Sequence, residues 1–503
     1  MFLRSPQVLI LFVTVGLLIA ACSGGSQTSP SVNDGPQEIN TIVNPTAVAE
    51  LTAIAGDRRV ALTFKVPDEA GETITAYQYA LNDAPWQTVS NVSEPAPQRR
   101  SFTVESLTNG VPVEIDVRAV NEAGPGDENS VTSIPYEPQH LTAGSQHGHV
   151  LISSELYAWG NGQYGRLGNG STSGTNTPIQ IASSTPFTHV SAGDSHTLAI
   201  DGEGQLWSWG DTLFGKLGNG SYTGTVNVPT PISVANGTTF VRIETGTTRS
   251  LAVDSDGGLW VWGFDGPGQP SGPEDYKLTP ERVDVPDGVT FVLISAGFSH
   301  SLALDTDGHI WSWGSNNKGQ LGHGDEVGRT EATRIAVAGT PLFASVHASQ
   351  NGSVALDRDG QLWHWGAELD DANKTNSAPT QLTNLQQGDP KFVRLSVGWS
   401  HGIAVDDEGQ LWTWGQNASG ELGHQDDVDR QTPTRVSFPA SQTPPVFVRA
   451  AAGNDFSFAV DSNGQLWTWG RNQGDQLGRG SSPGVTNKPV VVGNLSLEIS
   501  PYP

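Results

Sequence analysis

Ser295-Ala-Gly-Phe-Ser-His-Ser-Leu-Ala-Leu-Asp-Thr-Asp-Gly-His-Ile-Trp-Ser-Trp-Gly314, followed after Ser315 by Asn316-Asn-Lys-Gly-Gln-Leu-Gly322, is one copy of a repeat. The second Trp of its Trp-x-Trp-Gly ending returns at Trp159, Trp209, Trp262, Trp313, Trp365, Trp414 and Trp469, in steps of 50, 53, 51, 52, 49 and 55 residues. Self-similarity at that period belongs to solenoids and propellers. Within the copy, Ser301-Leu-Ala-Leu and Ile310-Trp-Ser-Trp read as short strands. Asp305-Thr-Asp-Gly between them reads as a hairpin turn, because Asp bonds its own backbone and Gly supplies positive φ. A Gly-rich loop and further apolar runs such as Phe291-Val-Leu-Ile bring the count to about four strands, with no helical period between them. Four antiparallel strands bury too little alone, so neighbouring copies must pack face to face, and seven can close radially. The expected class is all-β: a seven-bladed β-propeller over residues 139–503.

Together, Ala-Gly-x-x-His-x-Leu-Ala-Leu, Asp-x-Asp-Gly, Trp-x-Trp-Gly and Asn-x-x-Gly-x-Leu-Gly resemble the repeats of the regulator of chromosome condensation family. The resemblance covers residues from about 138 to the end and implies the same seven-bladed propeller.

The start of the chain reads differently. Met1-Phe-Leu-Arg4 is a short basic segment, Val8 to Leu18 is apolar, and Ile19-Ala-Ala-Cys22 follows. The apolar run is short for a membrane span and ends in small residues, as in a secretory signal peptide. Ala-Ala-Cys resembles a bacterial lipobox, so residues 1–21 are expected to be removed and Cys22, the single cysteine, to carry lipid. Several acyl chains on one residue anchor stably. Ser23 rather than Asp suits sorting to the outer membrane or cell surface. Residues 22–44, rich in Ser, Gly, Pro, Asn and Thr, form the expected tether.

Residues 45–138 show short alternating runs, Val60–Phe64, Ile74–Tyr79, Ser101–Val104 and Val113–Val120, separated by turn clusters. Leu107-Thr-Asn-Gly and Arg118-Ala-Val-Asn-Glu-Ala-Gly-Pro-Gly126 resemble a fibronectin type III domain. Phe64 stands where that family has its core Trp, and Val113 where it has the corner Tyr. A spacer role is expected.

The chain carries 52 acidic against 26 basic residues, a net charge of −26 and a pI near 4.6. That balance opposes a nucleic-acid partner, since phosphate binding needs Lys and Arg to displace counterions. It suits solubility or a cationic protein surface. No catalytic site is expected. Asp254-Ser-Asp-Gly, Asp305-Thr-Asp-Gly, Asp357-Arg-Asp-Gly and Asp461-Ser-Asn-Gly resemble the opening of a calcium loop but lack its distant Glu and lie between strands, so they read as turns. Gly160-Asn-Gly-Gln-Tyr-Gly165 fits a dinucleotide fingerprint but has no βαβ unit around it. His147, His196, His300 and His401 share the Ala-Gly-x-x-His position, whereas Arg249, Gly352 and Phe456 occupy it elsewhere. A ring of metal ligands is therefore broken. Each imidazole is expected to bond backbone within its own blade. Neither metal nor cofactor is expected.

Candidate partner-binding residues are those that depart from the frame. Trp399 is the one propeller Trp outside Trp-x-Trp-Gly; it and Phe298 occupy a position that varies as Ser145, Asp194, Thr247, Gln350 and Asn454 in the other copies. Tyr164 and Phe214 stand in the Asn-x-x-Gly-x-Leu-Gly loop where Lys318 and Ser419 stand elsewhere. Large aromatics in variable loops suit binding hot spots, although Trp399 could equally fill a local gap. The functional expectation is a monomeric, lipid-anchored, non-enzymatic scaffold of the cell envelope that engages a protein partner. Alternatives are an inhibitor of a secreted or envelope enzyme, a guanine-nucleotide exchange factor by family resemblance, which export and the even repeat steps oppose, and a hydrolase or lyase hidden on the propeller. Residues 488–492 and 495–499 look like outer strands without a further inner hairpin. The two ends of the chain are therefore expected to share one blade.

Overall fold

Each Trp-x-Trp-Gly segment is the third strand of a four-stranded antiparallel sheet. In the quoted copy the strands are Phe291–Ala296, His300–Asp305, Ile310–Gly314 and Arg329–Arg334. The hairpin register sets Ala303 opposite Trp311 and His300 opposite Gly314. The computed structural model describes residues 44–496 apart from 57–58, 68–72, 83, 91, 93–98, 106, 108–112, 134–140, 153, 184, 235–236, 269, 340, 384, 386–389, 439–443 and 481–483. Cys22 and nearly all of the expected tether lie outside the described residues.

Between Leu141 and Ser496 the described residues form seven such sheets, numbered here in chain order. The second strand of sheets 2 to 7 is buried at every position. The framework Trp residues 159, 209, 262, 313, 365, 414 and 469 are 0–4 % exposed. Each buries roughly 150–250 Å², worth about 4–6 kcal/mol gross. The cores lie between sheets: Leu251, Val253 and Val261 of sheet 3 pack with Phe291, Ala303 and Trp313 of sheet 4.

The turn Asp does more than close its hairpin. Asp305 Oδ1 accepts the His309 N–H at 2.8 Å, and Oδ2 accepts the Trp311 indole at 2.9 Å. Asp201, Asp254, Asp357, Asp406 and Asp461 hold Trp207, Trp260, Trp363, Trp412 and Trp467 in the same way. The expected shared blade is not what forms. Every sheet, the first and last included, is made of four consecutive strands. Val485–Ser496 is simply the outer strand of sheet 7. The ends meet instead by packing: Trp159 and Val150 of sheet 1 share a core with Phe456, Phe458 and Leu477 of sheet 7.

Residues 44–133 form two sheets. One joins Ala49–Gly56, Arg59–Lys65 and Arg99–Val104; the other joins Ala76–Leu81, Gln87–Thr88, Val113–Asn121 and Gly124–Ser133. Strict alternation along Val113–Asn121 buries Val113, Ile115, Val117 and Ala119. Phe64 sits at the centre, its ring 5.0 Å from Tyr77 and 6.1 Å from Phe102.

Candidate partner-binding face and central channel

The loop motif Gly-x-Leu-Gly matters through the backbone of its variable residue. The carbonyl of Arg166 accepts the Trp209 indole of the next sheet at 3.0 Å. Lys216 does the same for Trp262, Gln320 for Trp365 and Glu421 for Trp469. Gln476 of sheet 7 accepts from Trp159 of sheet 1 at 2.9 Å, so the same bond closes the circuit. A carbonyl has two lone pairs, and the second takes a hydroxyl from the next sheet: Thr197, Ser250, Ser353 and Ser457 donate to Arg166, Lys216, Gln320 and Glu421.

Those hydroxyls are the partners of the repeated histidines. His147, His196, His300 and His401 place Nε2 3.4, 2.9, 3.0 and 2.8 Å from the oxygens of Thr197, Ser250, Ser353 and Ser457. Each imidazole therefore reaches a side chain of the following sheet, not backbone within its own blade as expected. Because each hydroxyl gives its proton to a carbonyl, Nε2 must be the donor. Burial holds His300 and His401 down to about 3 and His147 and His196 well below the ordinary value.

Exceptions come in pairs across an interface. Phe456 of sheet 7 replaces His, and Gly148 of sheet 1 replaces the hydroxyl; a Cβ on Gly148 would run into Trp159 and Phe458. Gly352 of sheet 5 and Gly402 of sheet 6 form the second such pair of changes, and a Cβ on Gly402 would meet Trp414. Sheet 3 lacks the loop motif, and Asp265 supplies the missing acceptor, taking the Trp313 indole on Oδ1 at 2.8 Å. Arg249, fully buried at the histidine position, reaches Asp265 Oδ1 at 3.3 Å and Ser301 Oγ at 3.2 Å. One buried carboxylate in place of a carbonyl thus comes with one buried guanidinium in place of an imidazole.

Glu421 occupies a slot filled elsewhere by Gln. Its Oε2 accepts the Ser419 N–H at 2.7 Å, as Gln320 Oε1 accepts that of Lys318 and Gln476 Oε1 that of Gly474. Burial, with Asp455 and Asp429 nearby, pushes its carboxyl up to about 7 against the pull of its backbone hydrogen bonds.

The antiparallel register decides where the four candidate aromatics lie. At or next to the ends of their third strands, Gly160, Gly210, Gly314 and Gly415 lie directly opposite His147, His196, His300 and His401, which begin the second strands. The turn before each second strand and the loop after each third strand therefore leave the sheet at the same end. Phe298, Trp399, Tyr164 and Phe214 share one face.

They form two separate groups on it. Phe298 of sheet 4 and Trp399 of sheet 6 meet edge to face at 6.1 Å and 83°. Between them, the Gln350 N–H of sheet 5 donates to the Trp399 carbonyl at 3.3 Å. Both half-buried rings line one mouth of a cavity of about 1000 Å³ bounded by the first strand of every sheet. Trp399 also borders a smaller cavity with Glu368 and Leu369, where sheet 5 has lost the loop motif. In the other group Tyr164 is 40 % exposed, with the Arg166 guanidinium 5.6 Å from its ring. Phe214 is half-buried and packs edge to face on Tyr276 at 5.5 Å, which contacts Tyr222 at 6.0 Å. Tyr164 and Phe214 hold φ of 63° and 67°, a left-handed conformation that costs an aromatic residue energy. Neither Lys318 nor Ser419 adopts it. Leu213, 46 % exposed, extends this second patch and was missed in the sequence because nothing in its repeat position marks it.

The carboxylate and imidazole of Asp305, Asp307 and His309 come within 4.8 Å of one another. Asp305 is committed to its own turn, as described above, so the group is explained by the hairpin.

Fold and loops together define a tandem-repeat β-propeller that presents its variable side chains on one face. The chain belongs to the regulator of chromosome condensation (RCC1) repeat family. Residues 268–500 match the RCC1-like domain, and residues 153–200 and 203–253 match the RCC1 repeat. It is similar to the ultraviolet-B receptor UVR8 of Arabidopsis thaliana, 28% identical over 375 residues covering 74% of this chain and 72% of the relative. The mitochondrial RCC1 domain-containing protein RUG3 of the same plant is 30% identical over 368 residues, 71% of each chain. Among solved structures, yeast RCC1 (Prp20) bound to Kap60 gives a TM-score of 0.59 at 23% identity over 68% of this chain and 85% of that one. Human WBSCR16 gives 0.59 at 20% identity over 67% and 93%. Both support the propeller fold.

Proposed function

We propose that this protein is a non-enzymatic, protein-binding scaffold held at the bacterial cell envelope by lipid on Cys22. Its seven sheets act as the blades of one closed ring, and the fibronectin type III-like domain serves as a spacer. The observation that carries the binding reading is the convergence of all four aromatic candidates on one face. Framework aromatics in this chain are buried and repeat with the period; these four break the period and lie at a rim. Two of them also hold left-handed backbone, strain of the kind that persists at functional sites. Partner proteins are on record for a propeller of similar fold, since yeast Prp20 is described with Kap60, Gsp1p and histones. The net charge of −26 favours a partner with a cationic surface. Capture from envelope extracts on the chain lacking residues 1–44 tests the reading. Stoichiometric recovery of one protein that is lost on Trp399→Ala supports it. Turnover of a small molecule by the purified chain, with no protein recovered, overturns it.

A further inference from the structure

Each pair of neighbouring sheets meets over its own apolar cluster, and most pairs are also stitched by hydrogen bonds. Six of the seven framework indoles donate to the preceding sheet. Trp414 of sheet 6 is the exception: sheet 5 lacks the loop motif, and among the described residues no acceptor meets this indole. Hydroxyls on four first strands add a second stitch, with Thr142, Ser191, Ser295 and Ser396 accepting the N–H of Ala192, Thr245, Ala348 and Ala452 in the next sheet at 2.9–3.2 Å. In sheet 5 His347 stands at that position, and among the described residues no such bond reaches sheet 6. The third stitch, imidazole to hydroxyl, is missing as well, because Gly352 and Gly402 replace both of its partners. Sheets 5 and 6 thus keep an apolar contact, Val354 and Leu356 against Phe392, Ala404 and Trp414, and lose all three kinds of stitch. The bond that does cross this seam is the 3.3 Å contact of the Gln350 N–H with the Trp399 carbonyl.

A void marks the same seam. Sheet 3 fills the vacated histidine position with Arg249 and sheet 7 with Phe456, both fully buried. Gly352 leaves it open, and a cavity of about 120 Å³ is bounded by Gly352, Glu368 and Leu369 of sheet 5 and by Trp399, Ser400 and Gln416 of sheet 6. A void forfeits contacts along its walls, and each neutral hydrogen bond contributes roughly a factor of five to an equilibrium. On the loop face, Trp399 reaches over sheet 5 to the Phe298 ring of sheet 4. We propose that sheets 5 and 6 part more readily than any other neighbouring pair, and that the Phe298–Trp399 contact is the clasp that holds them together. Local openings are drawn from the least stable contacts of a fold. The clasp consists of two candidate partner-binding residues, so occupancy of that face and opening of the seam are coupled. The coupling rests on the protein-partner reading; the seam does not, and is tested without a partner.

Ala252, Ala355, Ala404 and Ala459 occupy one equivalent position, opposite Trp260, Trp363, Trp412 and Trp467, and all are 0 % exposed. Each lies in the core shared with the preceding sheet. Substituting each in turn with Cys, in the full chain carrying Cys22→Ala, leaves one thiol per protein. Iodoacetamide labelling of the folded protein, read by mass spectrometry, then reports opening seam by seam. Rates are compared after the contribution of global unfolding, measured for each variant, is removed. Ala404→Cys should react at least about tenfold faster than the other three. Adding Phe298→Ala should speed Ala404→Cys about threefold or more and leave Ala252→Cys unchanged. Equal rates at all four thiols, or a fastest thiol elsewhere, overturn the seam. Equal acceleration of Ala404→Cys and Ala252→Cys, or none, overturns the clasp.

Discussion

Glu421 sits where two other sheets carry Gln, and replacing it with Gln should stabilise the protein at neutral and alkaline pH. The carboxyl titrates near 7 in the fold against an ordinary value of 4.5. A raised carboxyl costs nothing below the unfolded value, where both states are protonated. Between pH 4.5 and about 7 the unfolded chain releases the proton and the folded chain retains it, so stability falls as pH rises. Above 7 the loss is constant. The difference between the two values, at about 1.4 kcal/mol per unit, puts that loss at about 3 kcal/mol. The amide of Glu421→Gln keeps the acceptor for the Ser419 N–H and places a neutral group, not a charge, beside Asp455 and Asp429. Urea unfolding of Glu421→Gln and wild type from pH 4.5 to 8.5 is the assay. The variant should gain about 2–3 kcal/mol at pH 8 and almost nothing at pH 4.5. A gain independent of pH, or none at pH 8, refutes the reasoning.

The histidines predict the opposite sign. His300 and His401 are neutral down to about pH 3, below the ordinary 6.5, so their contribution is complete above pH 6.5 and drains away as pH falls toward 3, by about 1.4 kcal/mol per unit for each ring; His300→Gln should make the acid limb of the unfolding profile shallower. Arg249→Met should destabilise by about 3 kcal/mol, because it leaves the buried Asp265 carboxylate with only the more exposed Lys277 at 3.8 Å and the Trp313 indole, and pairing it with Asp265→Asn should recover much of that loss in a double-mutant cycle. Once a partner is captured, Trp399→Ala, Phe298→Ala, Tyr164→Ala and Phe214→Ala should include a loss of about 1–2 kcal/mol or more in binding with melting unchanged; normal binding by all four removes the hot-spot assignment. Cys22→Ala should abolish metabolic lipid labelling, and persistent acylation of that variant would show that the anchor is elsewhere.

Much of the fold was readable because its causes are local. A 50-residue period, alternation within each run, and Asp and Gly at the hairpins depend on residues near one another in the chain. The same locality identified Trp399, Phe298, Tyr164 and Phe214 as departures from the frame. The contact between sheets 7 and 1 left a trace in the sequence too, though only in a pairing of distant positions. Wherever a histidine stands in one copy, the next copy has Ser or Thr one place further on; Phe456 and Gly148 break the rule together because copy 7 abuts copy 1.

What the tertiary structure alone decided lies between sheets. The assumption that each His bonds backbone in its own blade failed because its partner is some 50 residues away, on a strand that approaches only when two sheets pack. The shared blade failed for a related reason: the first strand of sheet 1 pairs within its own copy, and the ends are joined by the Trp159–Gln476 bond and an apolar interface. Sequence marked Phe298 and Trp399 as unusual but could not bring them together across sheet 5, nor put them on the face of Tyr164 and Phe214, because that follows from antiparallel register.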